Sequence, residues 1–181
     1  FTKLQKELAE ASFVDSSDIL WNLRMIKTER EVEAMRKACE ITSKGLEKLF
    51  DTIEVGMTEK EISQMLIANY MKEGADFPSL GRRGPCALII IDILPRPPPY
   101  IPTDTRLEKG EILHIDGGAR YKGYTCDFTR SCVAGPPSEK QKRYWKRINT
   151  INKEAVGAIR PGVTHGELPE WCHGLGFDLP E

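Results

Sequence analysis

Apolar residues recur at helical spacing along three stretches of this chain, with short β-favouring runs between them. Over residues 28–53, Val32, Met35, Cys39, Leu46, Leu49 and Phe50 fall along one face of a helix. From Thr58 to the neighbourhood of Gly74, Ile62, Met65, Leu66 and Met71 do the same. A third helix is predicted over 138–159, its charge-rich 140–147 stretch being a solvated face. Each helix opens on a capping box, Thr28 with Glu31, Thr58 with Glu61 and Ser138 with Gln141, which satisfies two otherwise orphan backbone donors. Ala87 to Ile91, with Ile93 and Leu94, suits a buried strand. Ile112 to Asp116 and Tyr124 to Arg130 read as two short strands joined by a glycine-rich turn.

The first helix runs into Ile53, Gly56, Met57, Thr58, Glu61 and Ile62, and the third into Ile159, Gly162, Val163, Thr164, Glu167 and Leu168. The shared pattern, I-x-x-G-[MV]-T-x-x-E-[IL], implies one supersecondary unit used twice. The copies then part. After Glu167, Pro169 blocks helix propagation, at a cost of about 3 kcal/mol in a helix interior. No room remains for a second helix and strand before His173, so a segment near 168–172 is expected to be missing. Phe1 is not an initiator methionine, and the polypeptide is expected to continue beyond both ends.

A chain of 181 residues can bury a substantial single core. Its 26 basic and 27 acidic side chains leave a net charge of −1, with no electrostatic footprint for nucleic acid or a membrane surface. No apolar run approaches a membrane span and no secretory signal pattern is present. The five cysteines (39, 86, 126, 132 and 172) are odd in number and lack framework spacing, which predicts reduced thiols and a cytoplasmic location.

The candidate chemistry lies on the predicted hairpin. If it is symmetric about Tyr121 and Lys122, Asp116 and Asp127 stand directly opposite each other. Opposed side chains have Cβ atoms about 5 Å apart, where like charges destabilise. A divalent cation would turn that repulsion into a site, because carboxylates are hard oxygen ligands. The plainer reading makes Asp116, Gly117 and Gly118 a turn and Asp127 a solvated strand residue, and a bulge would put the carboxylates on opposite faces. His173, followed by Gly174 and Gly176, sits where backbone can approach a ligand, and imidazole complements carboxylates at a metal.

Together the paired aspartates, the Tyr124-x-x-Asp127-x-Thr129-Arg130 run, the His173-Gly-x-Gly176 segment and the duplicated unit resemble the pita-bread metallohydrolases. Within that family, residues 15–38 and 100–116 resemble the creatinase, aminopeptidase P and prolidase branch. The resemblance implies an α+β fold with two pseudo-symmetric helix-helix-strand halves around an antiparallel sheet. It makes 1–25 the linker or tail of an absent N-terminal domain, and 26–181 a catalytic domain incomplete at its C-terminus. It carries over Asp116, Asp127 and His173 as metal ligands, with Asp127 bridging two divalent ions (Mn, Co, Fe or Zn). Two further glutamate ligands would lie beyond Glu181. That residue and Thr129 are candidate supporting residues around the ligands.

Departures from the pattern bear on the activity. Two positions that hold histidines in the family are Pro99 and Pro180 here, and proline has no titratable group to take their acid–base roles. His114 shares a strand face with Asp116 and is a lesser candidate for such a role; the plainer reading is a buried histidine at an apolar position. The resemblance implies a homodimeric hydrolase that cleaves small Xaa-Pro peptides through metal-activated water. Two alternatives stand beside it: creatinase-like C–N hydrolysis or a lyase reaction on a small amide in the same pocket, and a catalytically inactive binding module.

Overall fold

Thr58 and Ser138 accept hydrogen bonds from the backbone N–H three residues on, at 3.2 Å each, and Glu61 and Gln141 return them from the cap N–H at 2.8 Å. At Thr28 the Glu31 carboxylate accepts from both the backbone N–H (2.6 Å) and the hydroxyl (2.8 Å). With these ends fixed, the computed structural model describes residues 2–79, 88–91, 101–164 and 166–167. The helices are α1 (Thr2–Glu7), α2 (Ser17–Met25), α3 (Glu29–Phe50), α4 (Glu59–Lys72) and α5 (Glu139–Ala158). The strands are β1 (Phe77–Ser79), β2 (Leu88–Ile91), β3 (Ile112–Tyr121), β4 (Tyr124–Thr125) and β5 (Phe128–Val133).

All described pairing in the sheet is antiparallel and centred on β3. Along one edge β1 and β2 pair with it, Phe77 to Arg120 and Leu88 to Asp116. Along the other run β4 and β5, which pair Thr125 with the same Arg120 and Thr129 with the same Asp116. One face of β3 presents Leu113, Ile115 and Ala119, all buried, against Ile41, Leu46 and Leu49 of α3 and Ile62, Leu66 and Tyr70 of α4. Burying a side chain of this size contributes about 1.5–3 kcal/mol.

The buried stripe of α3 differs from the predicted one. It consists of Ala34, Ala38, Ile41, Thr42, Gly45, Leu46 and Leu49, while Met35 and Phe50 are exposed. Small residues win these positions because the partners approach so closely: a Cβ on Gly45 would lie 2.4 Å from the Tyr70 ring. Met71 is likewise exposed, and Tyr70 takes the place in the core. α1 and α2 bury no residue, and α5 buries only Ile151 and Ala158.

The segment leading into β3 is held by α4. Glu59, fully buried, accepts from the backbone N–H and hydroxyl of Thr103 at 2.8 and 2.7 Å, and Leu107 N–H donates to Met57 O at 2.9 Å. Thr164 and Glu167 make the acceptor half of a capping box, at 2.6 and 2.8 Å. Ala87, Ile93, Leu94, Pro99, the segment 168–172 with Pro169, His173, Pro180 and Glu181 lie outside the described residues.

Candidate metal centre

Strand alternation divides β3 into two faces. Leu113, Ile115 and Ala119 fill the core face, leaving His114 and Asp116 on the other, with Ser131 and Thr129 directly opposite them on β5. His114 Nδ1 lies 2.9 Å from Ser131 Oγ, and Thr129 Oγ1 donates to Asp116 Oδ1 at 2.9 Å. The His114 ring is neither buried nor among apolar neighbours only, so the buried-histidine reading does not hold.

The hairpin register corrects the expectation. Gly117 and Gly118 belong to β3, and the turn is Lys122-Gly123, whose φ values of 49° and 82° are the positive pair that a tight primed turn requires. Tyr121 therefore pairs with Tyr124 and Asp116 with Thr129, so Asp127 stands diagonal to Asp116 instead of opposite it. The centre of the hairpin moved by one residue, which shifts partners by two and keeps both aspartates on one face. Diagonal neighbours lie roughly 7–8 Å apart at Cα, within reach of side chains that lean together.

They do lean together. Asp127 is an exposed residue, yet its carboxyl is pushed above its ordinary value, first by partial burial, then by the charge and closeness of the Asp116 carboxyl. Like charges this close repel, so the pair calls for positive charge beside it. A hard divalent cation satisfies the same demand with oxygen donors already gathered. On this ground Asp116 and Asp127 fit a metal. Among the described residues no group of three His, Cys, Asp or Glu side chains gathers around them, His173 being outside that set.

Behind the pair, Gly118 and Cys126 are in close apposition. A Cβ on Gly118 would meet the Cys126 carbonyl oxygen at 2.2 Å and its carbon at 2.8 Å, so only glycine fits. Two further residues belong to this arrangement without a motif to mark them: Thr42, which reaches this point from α3, and Ser131, 2.9 Å from His114. Period-two alternation of Asp127, Thr129 and Ser131 could have revealed the serine; nothing local marks Thr42 apart from its place in a stripe of small residues.

The model of metallopeptidase family M24 matches residues 33–175. The Xaa-Pro dipeptidase of Pyrococcus horikoshii is 31% identical over 166 residues, covering 92% of this chain and 46% of that protein. Among solved structures, the prolidase from Pyrococcus horikoshii superposes with a TM-score of 0.85 at 30% identity, over 96% of this chain and 49% of that one. The Xaa-Pro dipeptidase from Bacillus anthracis gives 0.85 at 27%, over 96% and 48%. The chain thus spans about half the length of the curated relatives it matches. Its fold is the pita-bread arrangement of helices on an antiparallel sheet, and the chain belongs to metallopeptidase family M24.

Proposed function

We propose that this chain is the metal-bearing part of a hydrolase that cleaves small Xaa-Pro peptides, as a dipeptidase or aminopeptidase. The observation that supports it most is the Asp116–Asp127 pair, two carboxyls on one strand face whose mutual repulsion calls for a cation. Relatives named Xaa-Pro dipeptidase and prolidase support the substrate class. In this reading Asp116, Asp127 and His173 hold two divalent ions, drawn from Mn, Co, Fe or Zn, in a cytoplasmic homodimer. Such ions polarise an amide carbonyl and make water acidic enough to attack near neutral pH. Thr129 fixes the Asp116 carboxylate through its 2.9 Å hydrogen bond, and Ser131 orients His114, which would move a proton at the same face.

Asp127→Ala should abolish binding of Mn²⁺ in equilibrium dialysis; full occupancy in that variant sinks the assignment. A second reading, creatinase-like C–N hydrolysis, a lyase reaction or loss of catalysis, draws on Pro99 and Pro180 standing where the family holds histidines. Turnover of an Xaa-Pro dipeptide by metal-loaded protein separates the two, since metal binding without turnover supports the second.

A further inference from the structure

We infer that Thr42 is a positioning residue that sets the spacing of Asp116 and Asp127, an inference that rests on the metal site proposed above. Thr42 is fully buried on α3, in a stripe otherwise made of small and aliphatic residues. Its hydroxyl has one proton, which it donates to Ala38 O at 2.9 Å, one turn back on its own helix. The oxygen is then an acceptor with a fixed direction, and the Ala119 backbone N–H on β3 donates to it at 2.8 Å.

That bond displaces one that the sheet would otherwise make. Cys126 is the register partner of Ala119, and its N–H donates to Ala119 O at 3.2 Å. In a regular narrow pair Ala119 N–H would donate back to the Cys126 carbonyl. Thr42 takes that donor instead. The Cys126 carbonyl sits over the Cα of Gly118, at the place where a side chain there would begin. The interruption separates β4 from β5 at Cys126 and Asp127, immediately beside the carboxylate in question. The Cys126 thiol closes the arrangement, with Sγ 2.7 Å from Thr42 Oγ1 and 3.5 Å from Ala38 O.

One hydroxyl from the helix thus touches both strands of the hairpin, at Ala119 on the side of Asp116 and at Cys126 on the side of Asp127. Valine, of equal shape, would leave Ala119 N–H to reclaim the Cys126 carbonyl and flatten the ladder. Asp127 would swing with it, and the diagonal that brings the carboxyls together would change.

The test is titration of Mn²⁺ into wild-type, Thr42→Val, Thr42→Ser and Asp127→Asn protein well below their melting temperatures, with the Co²⁺ absorption spectrum as a second readout. Thr42→Val should weaken Mn²⁺ binding by about tenfold or more, in the range typical of residues that support metal ligands. Its Co²⁺ bands should shift, and Thr42→Ser should restore both. A folded Thr42→Val protein with wild-type affinity and spectrum would overturn the inference, since a merely structural threonine lowers the melting temperature and leaves the site unchanged. If Thr42→Val does not fold, Cys126→Ala, which removes the contact of Thr42 with the Asp127 strand, decides: weakened Mn²⁺ binding supports the positioning role, wild-type binding refutes it. Undiminished binding by Asp127→Asn would instead refute the site itself.

Discussion

Gly118 and Glu31 show how single residues hold this hairpin in place. At Gly118 any side chain must displace backbone, because the obstacle 2.2 Å from its first carbon is the Cys126 carbonyl and not a side-chain tip. Gly118→Ala should therefore cost about 1–3 kcal/mol, as overpacking in a core does, and should weaken Mn²⁺ binding because Asp127 follows Cys126. Differential scanning calorimetry with metal titration checks both, and a variant as stable as wild type would show that the strand yields freely. Glu31 caps α3 and also accepts from the Tyr124 hydroxyl at 2.7 Å, tying the helix to the far side of the hairpin turn. Hydrogen bonds from Thr28 N–H, Tyr124 and the Thr28 hydroxyl bring its carboxyl down to about 2. A carboxyl whose pKa is depressed by folding contributes stability that is complete above its unfolded value, near 4.3, and is lost as pH falls through the folded one. Glu31→Gln should accordingly flatten the fall in melting temperature between about pH 4.5 and 2 relative to wild type. Parallel wild-type and variant curves would mean that these bonds do not hold the charged form.

At the scale of the elements, the turn decides where the aspartates meet. Lys122 holds φ 49° and Gly123 φ 82°, a region in which an L-residue pays roughly 1–2 kcal/mol and asparagine or glycine much less. Lys122→Asn should raise stability by about 0.5 kcal/mol and Gly123→Ala should lower it by about 1–2 kcal/mol, read as opposite shifts of the thermal midpoint. Equal midpoints would argue that the turn carries no strain. This turn also explains what could and could not be read in the sequence. The helices were legible because their caps and apolar spacing are local signals, and Thr58, Glu61, Ser138 and Gln141 bond as their spacing implies. The hairpin was legible as a hairpin, but Gly117, Gly118 and Gly123 offered competing turns, and only packing distinguishes them. Gly118 is glycine for the sake of Cys126, not for a bend. Asp116 and Asp127 share a face under either centre of the hairpin, because an antiparallel register changes in steps of two when its centre moves by one. In α3, hydrophobicity favoured Met35 and Phe50, whereas closeness to Tyr70 and to the sheet selected Ala38, Thr42 and Gly45. Contact distance has no one-residue signature.

Across the whole molecule, a core of α3 and α4 on one face of β3 supports a polar face that is poor in its own right. Two carboxyls on one face, Asp127 raised in pKa first by partial burial and then by the Asp116 charge, would hold the folded state at a cost that a bound cation would remove. The unfolded chain has no such pairing, so metal binding at this face must feed directly into folding stability. A ligand that binds only the native state adds about 2.7 kcal/mol at a concentration one hundred times its Kd. For a domain of this size each kcal/mol moves the melting temperature by roughly 2–4 °C, which predicts a rise of roughly 5–11 °C on saturation with Mn²⁺. The dependence should follow the logarithm of free metal, and ethylenediaminetetraacetate should reverse it. Asp116→Asn and Asp127→Asn each remove one of the two like charges, so the metal-free variants should be as stable as the metal-free wild type or more so, while losing the metal-dependent rise. That combination separates a site held at a cost in stability from carboxylates that merely decorate a strand. A wild-type melting temperature indifferent to Mn²⁺, Co²⁺, Fe²⁺ and Zn²⁺ would mean that the strand face of Asp116 and Asp127 holds no metal in this chain.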